Sequence, residues 1–179
     1  MDQLINFPRN FARSLPYVIY SSALLNTFIT GNNLGLMFTL CGLIFSEGLN
    51  FLLKLLFNFI DPTKVKWMRP SPPPEGCGIF PVFNTTQSKM GGMPSGHSQM
   101  MGFTTAFWIL YIWRHGKMTS LRSTTTTIII LLLALIVMYS RITEGCHTVE
   151  QVAVGGSFGS ILGLTCFFLL EKNQPQLFS

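Results

Sequence analysis

The chain has 179 residues, of which 48% are hydrophobic and 11% are charged, and its formal net charge is +5. Soluble domains carry about 25% charged residues, so this composition excludes an ordinary soluble domain and predicts an integral membrane protein with one domain, residues 1–179. The basic residues are scattered and form no stripe with aromatic residues, so no nucleic acid is expected as a partner.

Five apolar segments follow one another along the chain, and each is predicted to form a transmembrane helix, because a span of the hydrocarbon core takes roughly 20 mostly apolar residues. In chain order the segments are 17–29, which spans only if it extends back to about Phe11, 34–59, 98–113, 124–139 and 149–170. The predicted fold class is therefore all-α, an integral membrane bundle of about five transmembrane helices.

Five crossings would place the N-terminus, the long loop 60–96 and the turn 141–147 on one face of the membrane, with the loop 114–123 and the C-terminus on the other. Polar residues gather in the long loop and in the turn. Cys77 and Cys146 lie in these two segments, and they would pair if that side is oxidising or remain thiols if it is not. The shared face is the first indication of where a functional site lies.

The segment "PSGH" at 94–97 opens the third predicted helix. Pro94 suits the first turn of a helix, and Ser95 and Gly96 allow a ligand close to the backbone. The free N–H groups and the positive end of the helix dipole favour an anion, with His97 beside it as an acid. The alternative is a plain N-cap, with His97 at the membrane surface.

The turn between the fourth and fifth helices carries Arg141 and His147. Gln151 follows His147 by four residues, so both share one helix face, and a polar partner there can fix the tautomer of the imidazole. Arg69, in "KVKWMRP", offers planar, bidentate donors that suit a phosphate. The alternative for Arg141 and His147 is that they are charged residues at span ends whose side chains reach the membrane interface. The alternative for Arg69 is a solvated basic loop that attracts lipid headgroups.

Taken together, these clusters favour phosphoryl chemistry. The sequence has no HExxH, CxxC or GxxxxGK[ST] motif, no Ser–His–Asp set and few acidic residues near the clusters, so no metal site is predicted. What remains is a site in which one His attacks a phosphorus held by cations and backbone N–H groups. A second His protonates the leaving oxygen.

Two motifs carry a family resemblance: "PSGH" at 94–97, and "SR" at 140–141 with five residues before His147. With this spacing the chain resembles the type 2 phosphatidic acid phosphatases over about residues 47–156. The signature of that family is K-x6-R-P, P-S-G-H and S-R-x5-H-x3-D. The segments "EGLNFLLK", "GMPSGHSQ" and "YSR…HTVEQV" are similar to the dolichyl-diphosphatase branch.

The resemblance implies a role for each matching residue. His147 would be the nucleophile that forms a phosphohistidine, and His97 would be the general acid. Phosphate oxygens would be bound by Lys54, Arg69, Ser95, Gly96 and Arg141. The resemblance also implies no metal or other cofactor, and a lipid phosphate or diphosphate as substrate, first of all a dolichyl or polyprenyl diphosphate. The expected location is the endoplasmic reticulum or another internal membrane.

The first motif departs from the signature. After six intervening residues Lys54 is followed by Asp61, whereas the Arg-Pro pair is Arg69-Pro70, so an insertion of about eight residues is inferred. Asn50 lies four residues before Lys54, where the family often has asparagine, and this favours Lys54 as the motif lysine. Lys66, which is nearer to Arg69 in the chain, is the alternative.

The third motif has Gln151 where most members of the family have Asp. An amide still accepts a hydrogen bond from His147 but adds no negative charge. The dolichyl-diphosphatase branch is expected to share an amide here, so activity need not be lost. A headgroup transferase of the same fold and a catalytically silent lipid-binding or scaffold homologue remain as alternatives.

Overall fold

The computed structural model describes residues 2–60, 69–70, 77 and 91–178. Its helices are α1 (Asp2–Thr30), α2 (Leu34–Cys41), α3 (Gly48–Ile60), α4 (Gly96–Arg114), α5 (Ser120–Thr143) and α6 (Val149–Asn173), followed by a 3-10 turn at Pro175–Phe178. A π-helical turn, Gly42–Glu47, joins α2 to α3. The backbone stays right-handed helical on both sides of this turn, so α2 and α3 form one continuous rod.

The described part of the chain contains five helical rods and no β-strand, so the prediction of an all-α bundle is confirmed. Three rods are long and apolar enough to cross a membrane: Leu34–Phe57, Ser120–Thr143 and Val149–Asn173. α1 and α4, which were also predicted as spans, are not among these three. α4 packs against both α5 and α6 and buries much of its surface in protein, so it needs less lipid-facing apolar surface.

The helix boundaries lie near the predicted ones, except at the first residues of α4 and α1. α4 begins at Gly96 with Ser95 at its N-cap, so Pro94 precedes the helix and does not occupy its first turn. The reason is that Ser95 keeps an extended backbone and its N–H donates to the carbonyl of Gln151 at 3.0 Å. α1 begins at Asp2, further back than the expected limit near Phe11.

Glycines bring α4 and α6 into backbone contact. A Cβ added at Gly159 would overlap the carbonyl oxygen of Gln99, and one at Gly163 would overlap that of Phe103. Only a residue without a side chain fits at these contacts. The close approach brings the first turns of α4 and α6 together, and it sets the PSGH segment beside the turn that carries His147.

Four fully buried aromatic rings pack between α2, α4 and α6. Phe38 lies 5.6 Å from Phe103 and 5.0 Å from Phe107, measured between ring centroids, and Phe107 lies 5.6 Å from Phe167. Aromatic pairs at such distances contribute beyond the area that they bury. This cluster therefore holds the three helices in the arrangement on which the site depends.

Candidate active site

A pocket of about 90 Å³ opens at the end of the bundle where α4 and α6 begin. Five of the predicted site residues line it: Lys54, Arg69, Gly96, His97 and His147. The other lining residues are Tyr17, Glu47, Asn50, Cys77 and Met100. Segments that are far apart in the sequence therefore converge on one end of the bundle, as the alternation of spans predicted.

His147 lies in the turn between α5 and α6 and is 3% exposed. Its Nδ1 lies 3.0 Å from Oε1 of Gln151. The same oxygen accepts the N–H of Thr148 at 3.3 Å, within a capping box at the start of α6. Because this backbone donor fixes Oε1 as an acceptor, Nδ1 of His147 must carry the hydrogen. Nε2 is then the ring nitrogen with the free lone pair that a nucleophile needs.

The environment of His147 favours its neutral form. Burial lowers the pKa of His147 well below its usual range, and the positive charges of Arg69 and Lys54 lower it further, against the opposing effect of the Gln151 hydrogen bond. Burial and nearby cations both disfavour an imidazolium. His147 is therefore uncharged at neutral pH, which is the form that can attack an electrophile.

His97 lies in the first turn of α4, and its Nε2 is 3.1 Å from the carbonyl oxygen of Arg13 on α1. A carbonyl oxygen only accepts, so Nε2 keeps its hydrogen and Nδ1 is the nitrogen left to exchange a proton. The ring also meets Tyr17 edge-on, with 6.4 Å between centroids. α1 thus orients the predicted acid, a contribution that none of the motifs indicated.

Two arginines, one half-buried (Arg69) and one fully buried (Arg141), place positive charge at this end of the bundle. Arg141 is fully buried, and its Nη2 pairs with Oε2 of Glu144 at 2.8 Å. Burial, and then the positive charge of Arg141, lower the pKa of Arg69 below its ordinary value. The buried Nε of Arg69 has no hydrogen-bond partner among the described residues. A desolvated cation with an open donor suits an anion.

The start of α4 faces the predicted motif lysine. A Cβ built on Gly96 would lie 3.4 Å from Oδ1 of Asn50 and 4.0 Å from Nζ of Lys54, so glycine leaves the backbone open on this side. The first N–H groups of a helix have no intrahelical acceptor. Ser95, which was also predicted to bind phosphate, is fully buried, and its Oγ accepts a hydrogen bond from Oγ of Ser98 at 3.0 Å.

Asn50 connects α3 to α4. Its Nδ2 donates to Oε1 of Gln99 at 2.8 Å, and Nε2 of Gln99 donates to the carbonyl of Ser46 at 2.6 Å. Ser46 lies in the π-helical turn, a type of irregularity that often marks functional sites. These bonds hold the face of α3 that bears Lys54 against α4. The sequence showed Asn50 only as a marker for the motif lysine and gave no role to Gln99.

Cys77 and Cys146 form a disulfide with their Cα atoms 5.4 Å apart, so the pairing that the sequence left open is present. Cys77 lines the pocket, and Cys146 directly precedes His147. The bond therefore joins the loop that carries Arg69 to the turn that carries the predicted nucleophile. Lys66, the alternative motif lysine, lies outside the described residues.

Tyr17 and Glu47 are polar pocket residues that received no role from the sequence. Glu47 was visible only as a polar interruption of an apolar span, although its spacing of three residues from Asn50 and seven from Lys54 is typical of one helix face. Tyr17 gave no signal, because its place depends on how α1 packs against α4. Glu144 could have been found from its i, i+3 spacing to Arg141.

Two histidines, His147 buried and His97 half-buried, meet three basic side chains around the start of a helix in an all-α bundle. This arrangement defines a helical membrane protein with a polycationic pocket. A model of the PAP2 superfamily matches residues 35–175, which is most of the chain. The protein belongs to this superfamily, and the resemblance seen in the motifs is confirmed.

Several curated proteins are similar to this chain. Dolichyldiphosphatase of Saccharomyces cerevisiae is 31% identical over 116 residues, which cover 64% of this chain and 48% of the yeast protein. Lipid phosphate phosphatase gamma of Arabidopsis thaliana is 30% identical over 160 residues, which cover 88% of this chain and 63% of the plant protein. Dolichyldiphosphatase 1 of Homo sapiens is 28% identical over 153 residues, which cover 76% of this chain and 53% of the human protein. The chain thus spans about half to two thirds of the length of these relatives. No solved structure matches it.

Proposed function

We propose that the protein hydrolyses a lipid phosphate or diphosphate, first of all a dolichyl or polyprenyl diphosphate, through a phosphohistidine on His147. The observation that carries the proposal is that His147, His97, Lys54 and Arg69 line one and the same pocket. Membership of the PAP2 superfamily supports it, as do relatives that are named dolichyldiphosphatases and a lipid phosphate phosphatase.

In the first step Nε2 of His147 attacks the phosphorus, and the bond from phosphorus to the leaving oxygen breaks as the N–P bond forms. His97 gives the proton on Nδ1 to that oxygen, which departs as a lipid alcohol or, from a diphosphate, as a lipid phosphate. The negative charge of the bound phosphate favours the protonated His97 that this step requires. Lys54, Arg69 and the N–H groups at the start of α4 stabilise the charge on the transferring oxygens.

In the second step a water molecule attacks the phosphorus, and the N–P bond breaks. His97, now neutral at Nδ1, takes the proton from the water, so the acid of the first step is restored. Inorganic phosphate leaves, and His147 returns to its neutral form. Gln151 holds the hydrogen on Nδ1 of His147 throughout both steps, so the attacking nitrogen is always Nε2.

The position of the pocket supports a lipid substrate. Three rods are able to cross a membrane, and their outer faces carry exposed apolar residues such as Leu52, Leu132 and Ile161. The pocket opens at the end of the bundle, so a phosphate headgroup reaches it while the acyl or prenyl tail stays in the bilayer. The Cys77–Cys146 disulfide supports a pocket that faces an oxidising space, as expected for an endoplasmic reticulum membrane or a comparable internal membrane.

A substrate panel in detergent, with a metal chelator present, tests the proposal. Phosphate release is measured from a dolichyl diphosphate, a phosphatidate and a soluble phosphate ester. We expect release from both lipids, fastest from the diphosphate, and much slower release from the soluble ester. Release from neither lipid would favour the silent homologue and contradict the proposal. Transfer of the headgroup to an added lipid acceptor, in place of free phosphate, would identify a transferase.

A further inference from the structure

Glu47 is an acidic residue in a pocket that is also lined by two basic side chains, Lys54 and Arg69, and by the two histidines. It ends the π-helical turn, and Asn50 and Lys54 follow on the same face of the rod and line the same pocket. Neither step of the proposed reaction uses a carboxylate at this place. A carboxylate beside a bound phosphate opposes its binding, because like charges repel across a pocket of this size.

No direct ion pair with another described residue explains why a carboxylate lies at this place. Glu144 pairs with Arg141 at 2.8 Å, and Glu171 pairs with Arg114 at 2.9 Å. Glu47, by contrast, has no hydrogen bond or ion pair with any other residue in the part of the chain that the structure describes. Its charge therefore acts both on Lys54, which lines the same pocket, and on the contents of the pocket.

We propose that Glu47 is a charge-balancing residue that lowers the affinity of the pocket for anions and so speeds the release of inorganic phosphate. The inference rests on the proposed function. The cations and helix N-terminus that stabilise the transferring phosphoryl group also hold the phosphate product. A negative charge at this place weakens ground-state binding of substrate and product alike, and binding that is equally tight in the ground and transition states does not raise kcat.

The test is the inhibition constant of inorganic phosphate, measured against hydrolysis of a dolichyl diphosphate in detergent. Glu47→Gln removes the charge and keeps the size of the side chain. We expect the inhibition constant to fall roughly threefold or more, with a lower KM and a lower kcat because product leaves more slowly. Glu47→Asp, which retains the charge, is expected to behave like the wild type.

Glu150→Gln is the matched control, because Glu150 is an exposed carboxylate at the same end of the bundle and does not line the pocket. Glu47→Ala serves as a second neutral variant if Glu47→Gln does not fold, as judged by size-exclusion chromatography. An unchanged or weaker affinity for phosphate in the neutral variants would overturn the role of Glu47 alone, provided that the wild type releases phosphate. Failure of the wild type to release phosphate would instead overturn the proposed function, and the role of Glu47 with it.

Discussion

Nδ1 of His147 and Oε1 of Gln151 lie 3.0 Å apart, and this hydrogen bond sets the tautomer of the proposed nucleophile. Oε1 is held in place by the backbone N–H of Thr148 at the start of α6. The amide orients the imidazole but adds no negative charge beside it. Burial and the cations Arg69 and Lys54 therefore keep the pKa of His147 low.

Gln151→Glu is predicted to move the acid limb of kcat/KM to higher pH. The substitution keeps the size and the acceptor oxygen, but its negative charge stabilises the imidazolium and raises the pKa of His147. In the wild type this pKa lies well below its usual range, so His147 adds no acid limb near neutral pH. Profiles of kcat/KM against pH measure the shift.

The control for that experiment is Gln151→Leu, which removes the acceptor without adding charge. It is expected to lower kcat roughly tenfold or more across the whole pH range, because the ring loses its orienting partner. An acid limb in Gln151→Glu that coincides with that of the wild type would show that the neutral state of His147 does not govern the rate.

Lys54→Gln is predicted to raise KM and to lower kcat/KM by roughly tenfold or more, which is the usual worth of a hydrogen bond to a charged group. Lys54 lines the pocket, and its Nζ lies near the open backbone of Gly96. Lys66→Gln is the matched variant, since Lys66 is the alternative motif lysine. The kinetics of both variants decide between them, and loss of activity in Lys66→Gln alone would assign the motif to Lys66.

Reduction of the Cys77–Cys146 disulfide is predicted to lower activity, because the bond joins the Arg69 loop to the turn that carries His147. A sequence separation of 69 residues corresponds to a stabilisation on the order of 4 kcal/mol in the chain-entropy description. We expect kcat/KM to fall roughly tenfold or more on reduction, since small displacements of catalytic groups are costly. The phosphatase assay, with and without a dithiol reductant, measures the effect.

Two double variants complete the disulfide experiment. Cys77→Ser/Cys146→Ser is expected to show the reduced activity at once, with no further response to the reductant. Cys41→Ser/Cys166→Ser removes the two buried free thiols and is expected to respond to the reductant as the wild type does. A wild-type enzyme whose activity is indifferent to complete reduction would show that the disulfide does not position the site.

Gly159→Ala is predicted to destabilise the bundle by about 1–3 kcal/mol, the usual cost of overpacking. An added Cβ would overlap the carbonyl of Gln99 and push α4 away from α6. Alanine is intrinsically better than glycine in a helix, so a loss of stability isolates the packing effect. Gly48→Ala is the control, because the nearest neighbour of its Cβ would lie 3.7 Å away. Thermal unfolding in detergent compares them, and equal midpoints would contradict the close helix contact.

The sequence was sufficient to predict the all-α bundle and five of the ten residues that line the pocket. Apolar segments of spanning length locate the rods, and alternation of their directions brings the loop of Arg69, the start of α4 and the turn of His147 to one end. The i, i+4 spacing of His147 and Gln151 also predicted a contact that the structure contains. These features follow from local periodicity and chain order.

The rest depended on how the helices pack, which local patterns do not encode. The carbonyl of Arg13 reaches His97 only because α1 lies beside α4. The pairing of Cys77 with Cys146 required the relative position of two loops, and the sequence constrained only their side of the membrane.

Transfer of the phosphoryl group to His147 is the step on which the proposed function depends most. A lipid diphosphate that is radiolabelled on its terminal phosphate is mixed with the protein, and the reaction is quenched with base. We predict an acid-labile label on the peptide that contains His147, and neither label nor phosphate release in His147→Ala. Full phosphate release by His147→Ala, or the same label in that variant, would contradict a phosphohistidine at this residue.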